Sequence, residues 1–289
     1  MPGVIDLVRF SSLEAYREAL VECSEVFTAR WLWGEHLEAA CRHSGRYPGY
    51  CSLCASSTEF SFSAGMGEPV NLREELRCRD CGLSARARVA ASLLKRACPP
   101  ESEAKVYLTE QTTALYRHIR QTWSDVIGSE YFEEPARDRI QAFMRDNLGL
   151  DERLRFEDVT ALSFADHTLD AIVSCDVLEH VPDYRAAAAE FARVLKSGGR
   201  LILTVPFLDQ SHETLTRARI LEDGHIEHLE EPEYHGDPLD PDGVLAFYHF
   251  GWDLLDTLRN SGFESAEWCL PWAPAEGIFS GQWTLLATR

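Results

Sequence analysis

The sequence predicts an α/β protein, with a mostly parallel sheet covered on both faces by helices and a small cysteine-rich module ahead of it. Two observations carry this. From about residue 102, short apolar runs alternate with amphipathic stretches, the pattern of strands joined by crossover helices. Upstream, Cys51-x-x-Cys54 and Cys78-x-x-Cys81 are separated by 23 residues, a spacing that suits two knuckles of one metal site.

The totals fit such a fold. The 289 residues are 45% hydrophobic and 26% charged, enough to bury a core in one large or two modest domains. Apolar runs such as LILTVPFL are too short to span a bilayer, and Asp6 interrupts the N-terminal stretch where a leader would need an apolar core. A cytoplasmic protein is expected. The net charge of −19 repels phosphate backbones and anionic lipid, so neither a nucleic acid nor a membrane is an expected partner.

Residues 1–47 read as a helical segment, because 11–43 carry helical periodicity with Ser11 or Ser12 as the cap and Glu14 nearby. Residues 48–100 read as a zinc module and its connecting helix. Small turn formers follow each knuckle, Ala55 and Ser56 after the first and Gly82 before Leu83 after the second. Cys51, Cys54, Cys78 and Cys81 can then occupy the corners of one tetrahedron, a closed site in which Zn2+ holds the fold and has no open position for catalysis. Four unrelated thiols or redox pairs are the alternative, although a redox site needs only one C-x-x-C at a helix start. The intervening FSFSAGMGEPVNL predicts a hairpin. Cys23, Cys41, Cys98, Cys175 and Cys269 show no pairing pattern and read as reduced thiols. The basic stretch Arg73, Arg77, Arg79, Arg86, Arg88, Lys95 and Arg96 reads as a solvated face.

Within residues 101–289, strands are predicted at 105–109, 124–128, 154–158, 170–175 and 200–206, with a final pair near 264–271 and 282–288. In the stretch RFEDVTALSFADHTLDAIVSCDVLEHVPDYRAAAAEFARVLKSGGRLILTVPF, Asp183 caps a helix whose Phe191, Val194 and Leu195 form one stripe. Gly198 and Gly199 end that helix, and Leu201 to Val205 return as a strand. These elements in this order resemble a class I S-adenosylmethionine-dependent methyltransferase domain of the kind labelled type 11, over roughly residues 105–289 and more loosely including the cysteine module.

The resemblance implies a Rossmann-like class I fold, a seven-stranded mostly parallel sheet with a terminal antiparallel hairpin, and S-adenosylmethionine as cofactor. It places Glu130, 20 residues beyond Glu110, at the ribose hydroxyls, a role its position and chemistry also suit, with Tyr131 beside it. It places Asp158 at the adenine amine, Val159 and Leu162 against the ring, and Ser174, Cys175 and Asp176 along the methionine part. The departure is at 109–113, where the family carries an acid and G-x-G and this chain reads TEQTT. Glu110 is expected to pair with the cofactor ammonium, and Gln111, Thr112 and the neighbouring hydroxyls to meet its carboxylate. A dead cofactor site is the alternative.

An insertion at 208–243 is too long for a connector and should lie over the strand ends. It concentrates His212, His225, His228, Tyr234, His235 and Asp237, and His180 follows the strand at 170–175. Such histidines can bind a second metal, act as bases, hold a polar substrate or simply be solvated. His180, then His235 and His225, are the catalytic candidates; Tyr107 and Tyr116 read as packing residues. The expected function is in-line methyl transfer to a small-molecule acceptor, a sugar or a secondary-metabolite precursor. Alternatives are cyclisation or aminocarboxypropyl transfer releasing methylthioadenosine, or a non-catalytic zinc-ribbon interaction protein. The acceptor and the oligomeric state are not legible.

Overall fold

The computed structural model describes residues 5–61, 71–237, 240–279 and 281–289. The chain divides into two compact units, residues 1–97 with 268–284, and residues 98–267 with 285–289. The first gathers the expected helical segment and cysteine module with a late piece of chain.

In the first unit, strand β1 (Asp6–Phe10) precedes helices α1 (Leu13–Glu22) and α2 (Ser24–Ser44). The opening is therefore not wholly helical: β1 pairs antiparallel with residues 268–272. Ser12 caps α1 by accepting from the Ala15 amide at 3.1 Å. Strands β2 (Arg46–Cys51) and β3 (Ser56–Ser61) form a hairpin closed by the first knuckle, with Cys51 opposite Ser56. Helix α3 (Leu72–Glu75), strand β4 (Arg77–Cys78) and helix α4 (Ala85–Ala97) follow. The hairpin expected between the knuckles falls largely on residues 62–70, outside the described residues.

One of the basic residues is not on a solvated face. Arg88 is 1% exposed and donates to the carbonyls of Leu76 (3.0 Å), Leu83 (2.7 Å) and Glu276 (2.9 Å), with its guanidinium 4.3 Å from the centre of the Phe60 ring. A guanidinium whose donors meet carbonyls can be buried where an ammonium could not.

The second unit begins with β5 (Lys105–Leu108), α5 (Ala114–Thr122), β6 (Asp125–Gly128) and α6 (Arg137–Leu148). It continues through β7 (Leu169–Cys175), α7 (Tyr184–Val194) and β8 (Leu195–Thr204). Short hairpin strands fill the insertion: β9 (Leu215–Thr216), β10 (Ala218–Ile220), β11 (Ile226–His228), β12 (Tyr234–Asp237) and β13 (Asp240–Leu245), then β14 (Tyr248–His249). Helix α8 (Asp253–Asn260) leads to β15 (Ser265–Trp272) and β16 (Thr284–Thr288).

The main sheet has seven strands in the order β1-β15-β16-β8-β7-β5-β6. β6, β5, β7 and β8 run parallel, and β16 is antiparallel to β8. The order and directions are those of a Rossmann-like sheet, as expected for a class I methyltransferase fold, with one exchange in membership. The strand expected at 154–158 is reduced to a single bridge between Glu130 and Phe156, and β1 supplies the seventh strand. Side chains from distant positions account for it: Gln141 and Gln111 take the amides of Leu154 (2.8 Å) and Arg155 (2.9 Å), donors a longer ladder would need.

Helix α7 begins as expected, Asp183 accepting from the Ala186 amide at 3.0 Å, but ends at Val194, before the glycines. The carbonyls of Arg193 and Val194 accept from the amides of His167 (3.0 Å) and Thr168 (2.9 Å), so the helix yields its last acceptors to a neighbouring turn.

Candidate functional site

The turn between β5 and α5 contains no glycine because its neighbours supply what glycine would. Glu130, past the end of β6, accepts from the amides of Gln111 (2.6 Å) and Thr112 (2.7 Å) and from the Thr112 hydroxyl (2.7 Å), all through Oε1. Thr113 caps α5, accepting from the Tyr116 amide at 3.1 Å. The close approach is made at Gly128, where a Cβ would stand 2.4 Å from Tyr116 Cε2 and 2.8 Å from the Glu110 carbonyl. The needed glycine is on the next strand, not in the loop.

This turn forms one wall of a cavity of about 670 Å³ at the carboxyl ends of β5, β6 and β7, where the strand order reverses and α/β sheets hold ligands. Glu110, Thr112, Glu130, Tyr131, Asp158 and Val159 line it. So do Cys175 and Asp176. Asp158 is fixed by the Thr160 amide (2.8 Å) and hydroxyl (2.7 Å). Asp176 sits at φ +53, in the left-handed region, and its carboxylate accepts from Thr204 at 3.0 Å; such strain persists where surrounding bonds hold it.

Not every expected contact faces the cavity. Gln111 is 3% exposed and its side chain turns away, donating to the Arg153 carbonyl (3.2 Å) and accepting from the Arg155 amide (2.9 Å). Ser174 is fully buried behind the wall, accepting from Thr109 at 3.0 Å. Leu162 is buried in the core and is absent from the cavity lining. Tyr107 and Tyr116 are packing residues: Tyr107 is fully buried with its hydroxyl 2.7 Å from Ser129, and Tyr116 bonds Glu152.

Of the histidines, His180 and His235 line the cavity, their rings 4.9 Å apart and edge to face. His225 does not join them. It lies exposed between β10 and β11, with Nδ1 3.3 Å from Asp223, because the hairpin turn carries it into solvent. The Asp237 side chain lies outside the described set.

Sequence reasoning missed the acids and the third histidine around this pair. Glu179 is fully buried, and its Oε1 stands 3.5 Å from His235 Nδ1 and 3.9 Å from His180 Nε2. Glu233 Oε1 stands 3.1 Å from His235 Nε2 and 3.2 Å from His249 Nε2. The adjoining Glu179 carboxylate raises the His235 pKa, and burial raises that of Glu179. The Glu179-His180 dipeptide was the only sequence signal; Glu233 and His249 are brought in by long-range pairing.

In the first unit the four knuckle sulfurs lie within 4.8 Å of one another, with Cys54 and Cys78 Sγ atoms 4.0 Å apart. Each knuckle closes on a residue of positive φ, Ala55 at 53° and Gly82 at 75°. Cys51 is drawn down to about 5, chiefly by the Cys81 thiol, while burial, then the Cys51 charge, pushes Cys54 up to about 12. Bringing several thiolates together is costly without a cation.

With this geometry in place, likeness to known proteins becomes informative. Residues 110–203 match the family of methyltransferase domains. That methyltransferase-type segment runs from the glycine-free turn to the end of β8. The methyltransferase GfsG of Streptomyces halstedii is 38% identical over 72 residues, covering 24% of either chain. A demethylmenaquinone methyltransferase of Bacteroides fragilis is 42% identical over 57 residues, 19% of this chain and 23% of that one. These matches span about a quarter of the length of the curated relatives. Among solved structures, an S-adenosylmethionine-dependent methyltransferase from Mesorhizobium loti aligns over 71% of this chain and 98% of its own, with TM-score 0.46 and 17% identity. Among the described residues, no helix is long and apolar enough to cross a membrane.

Proposed function

We propose that the second unit is an S-adenosylmethionine-dependent methyltransferase acting on a small molecule, a sugar or secondary-metabolite precursor. The observation that carries this reading is the placement of Glu110, Glu130, Asp158 and Asp176 around one cavity inside a segment of methyltransferase type. The cofactor, when bound, supplies a methyl group activated on a sulfonium. Carboxylates suit its cationic and hydroxyl-bearing parts: Glu110 the ammonium, Glu130 the ribose and Asp158 the adenine amine. Val159 offers apolar surface, and Cys175 and Asp176 border the reaction mouth. Gln111 and Ser174 act through the walls they hold. Methyl transfer then asks mainly for alignment and exclusion of water, with His180 or His235 to take or hold a proton.

The first unit's four cysteines are proposed to hold one structural Zn2+. Sulfurs 2.3 Å from zinc stand about 3.8 Å apart in a tetrahedron, and the 4.0 Å between Cys54 and Cys78 fits that edge. Buried Arg88, whose charge feels Cys51, Cys81 and Cys78, offsets part of the negative charge such a centre carries.

The test is incubation with S-adenosylmethionine and a panel of sugar and secondary-metabolite hydroxyl acceptors. S-adenosylhomocysteine formed only with an acceptor is expected. Methylthioadenosine released without one would replace methyl transfer by attack on another carbon of the cofactor. A folded chain that binds neither cofactor form would return the non-catalytic reading.

A further inference from the structure

We propose a second metal centre, separate from the four cysteines, in which Glu179, His180 and His235 bind a divalent first-row cation such as Zn2+ beside the cavity. One ligand atom from each residue lies within 4.8 Å of the others. The hydrogen bonds behind them decide which atoms those are. His180 Nδ1 is 2.9 Å from the Leu245 carbonyl, an acceptor only, so Nδ1 carries the proton and the Nε2 lone pair faces Glu179. His235 Nε2 is 3.1 Å from Glu233 Oε1, which directs its Nδ1 toward Glu179 Oε1 at 3.5 Å.

Among the described residues, neither oxygen of this fully buried carboxylate meets a hydrogen-bond partner at full geometry, and the nearest group is His235 Nδ1 at 3.5 Å from Oε1. Two imidazole lone pairs and an unsatisfied carboxylate thus converge on one point, an arrangement that calls for a cation. Two imidazoles and a carboxylate suit zinc, iron, cobalt or nickel better than magnesium or calcium. The support behind the ligands is of the kind metal centres use, a carbonyl on one histidine and a carboxylate on the other. Glu233 is itself held by His249 at 3.2 Å and Arg217 at 3.2 Å.

His180 and His235 line the cavity, so a three-ligand centre would turn its open coordination positions toward it; with both ring lone pairs on the metal, acidifying the acceptor hydroxyl would fall to the metal and not to an imidazole base. The ligand class that follows is an acceptor presenting a hydroxyl or other oxygen donor to the metal. That assignment of the acceptor rests on the methyltransferase reading; the metal centre does not.

The experiment is zinc content per chain, measured by mass spectrometry after metal-free protein is dialysed against buffered Zn2+ under reducing conditions. The intact chain is expected to hold about two equivalents, and Glu179→Gln and His180→Asn about one each. Titration with S-adenosylhomocysteine on the same samples separates the two claims. Wild-type protein holding only the zinc that Cys51→Ser plus Cys81→Ser removes, with no loss in Glu179→Gln, overturns the proposal and leaves a metal-free His235 imidazolium paired with Glu179. In that case homocysteine-cofactor binding would still stand for the methyltransferase. Glu179-dependent zinc without cofactor binding would keep the centre and reject the enzyme reading. Should the double cysteine variant unfold, the single-site variants in the intact chain give the same answer.

Discussion

Glu130 accepts both the backbone amide and the hydroxyl of Thr112, each at 2.7 Å. One carboxylate oxygen thereby organises the turn that a glycine-rich sequence would otherwise shape, and couples it to the end of the neighbouring strand. Glu130→Ala is expected to lower stability by about 2 to 3 kcal/mol, since hydrogen bonds to a charged acceptor are lost and two amides are stranded. Thr112→Val, which removes one bond, should cost about 1 kcal/mol. Urea unfolding measures both, and calorimetry with S-adenosylhomocysteine should show affinity falling at least about tenfold for Glu130→Ala.

Gly128→Ala places a Cβ 2.4 Å from Tyr116 and 2.8 Å from the Glu110 carbonyl. Backbone cannot yield as a flexible side chain can, so a loss of about 1 to 3 kcal/mol is expected. Thermal unfolding reads the stability. Cofactor affinity should fall with it, because the shifted atoms belong to the wall carrying Glu110.

Arg88→Met removes the donors of three buried carbonyls and the positive charge near the cysteines. A loss of about 3 to 5 kcal/mol is expected. Arg88→Lys should recover little, because one ammonium cannot span the same carbonyls. Stripping the zinc proposed at the four cysteines with a chelator should destabilise the same unit, and zinc release should be faster in Arg88→Met; tryptophan fluorescence and a colorimetric zinc assay follow both.

Arg193 ties the segment carrying Asp158 to α7, donating to the carbonyls of Leu162 (2.9 Å) and Phe164 (2.8 Å) and pairing with Glu190 at 2.7 Å. Its hydrogen bond holds Glu190 below the ordinary carboxylate range. A carboxyl with a depressed folded pKa stabilises fully above its unfolded value, about 4.3, and loses that contribution as pH falls through the folded value. Stability of the wild type measured from pH 6 downward should therefore drop more steeply through the acid range than that of Arg193→Gln.

The sheet was largely legible because its strands are apolar runs between turn residues: 105–108, 125–128 and 169–175 fall where alternation places them. Caps were equally local, Asp183 and Ser12 each acting on an amide three residues on. What stayed hidden depends on distant partners. The end of α7 is set by His167 and Thr168, and the loss of a strand at 154–158 by Gln141 and Gln111. Arg88 looks like any surface arginine until Glu276, 188 positions away, supplies a carbonyl. In the site, Glu110, Glu130 and Asp176 could be picked out by strand-end position, and Asp158 only by the family resemblance, because the strand expected to end at it is reduced to one bridge. Glu179 could not, because a carboxylate beside a histidine in sequence says nothing of its burial.

The most direct measurement is calorimetric titration of the purified chain with S-adenosylhomocysteine, beside Asp158→Ala and Glu130→Ala. The expected result is one site per chain, with micromolar-range affinity (roughly −8 kcal/mol) that weakens in both variants. A folded wild-type chain that releases no heat and shows no thermal shift would contradict the assignment of this cavity to the cofactor.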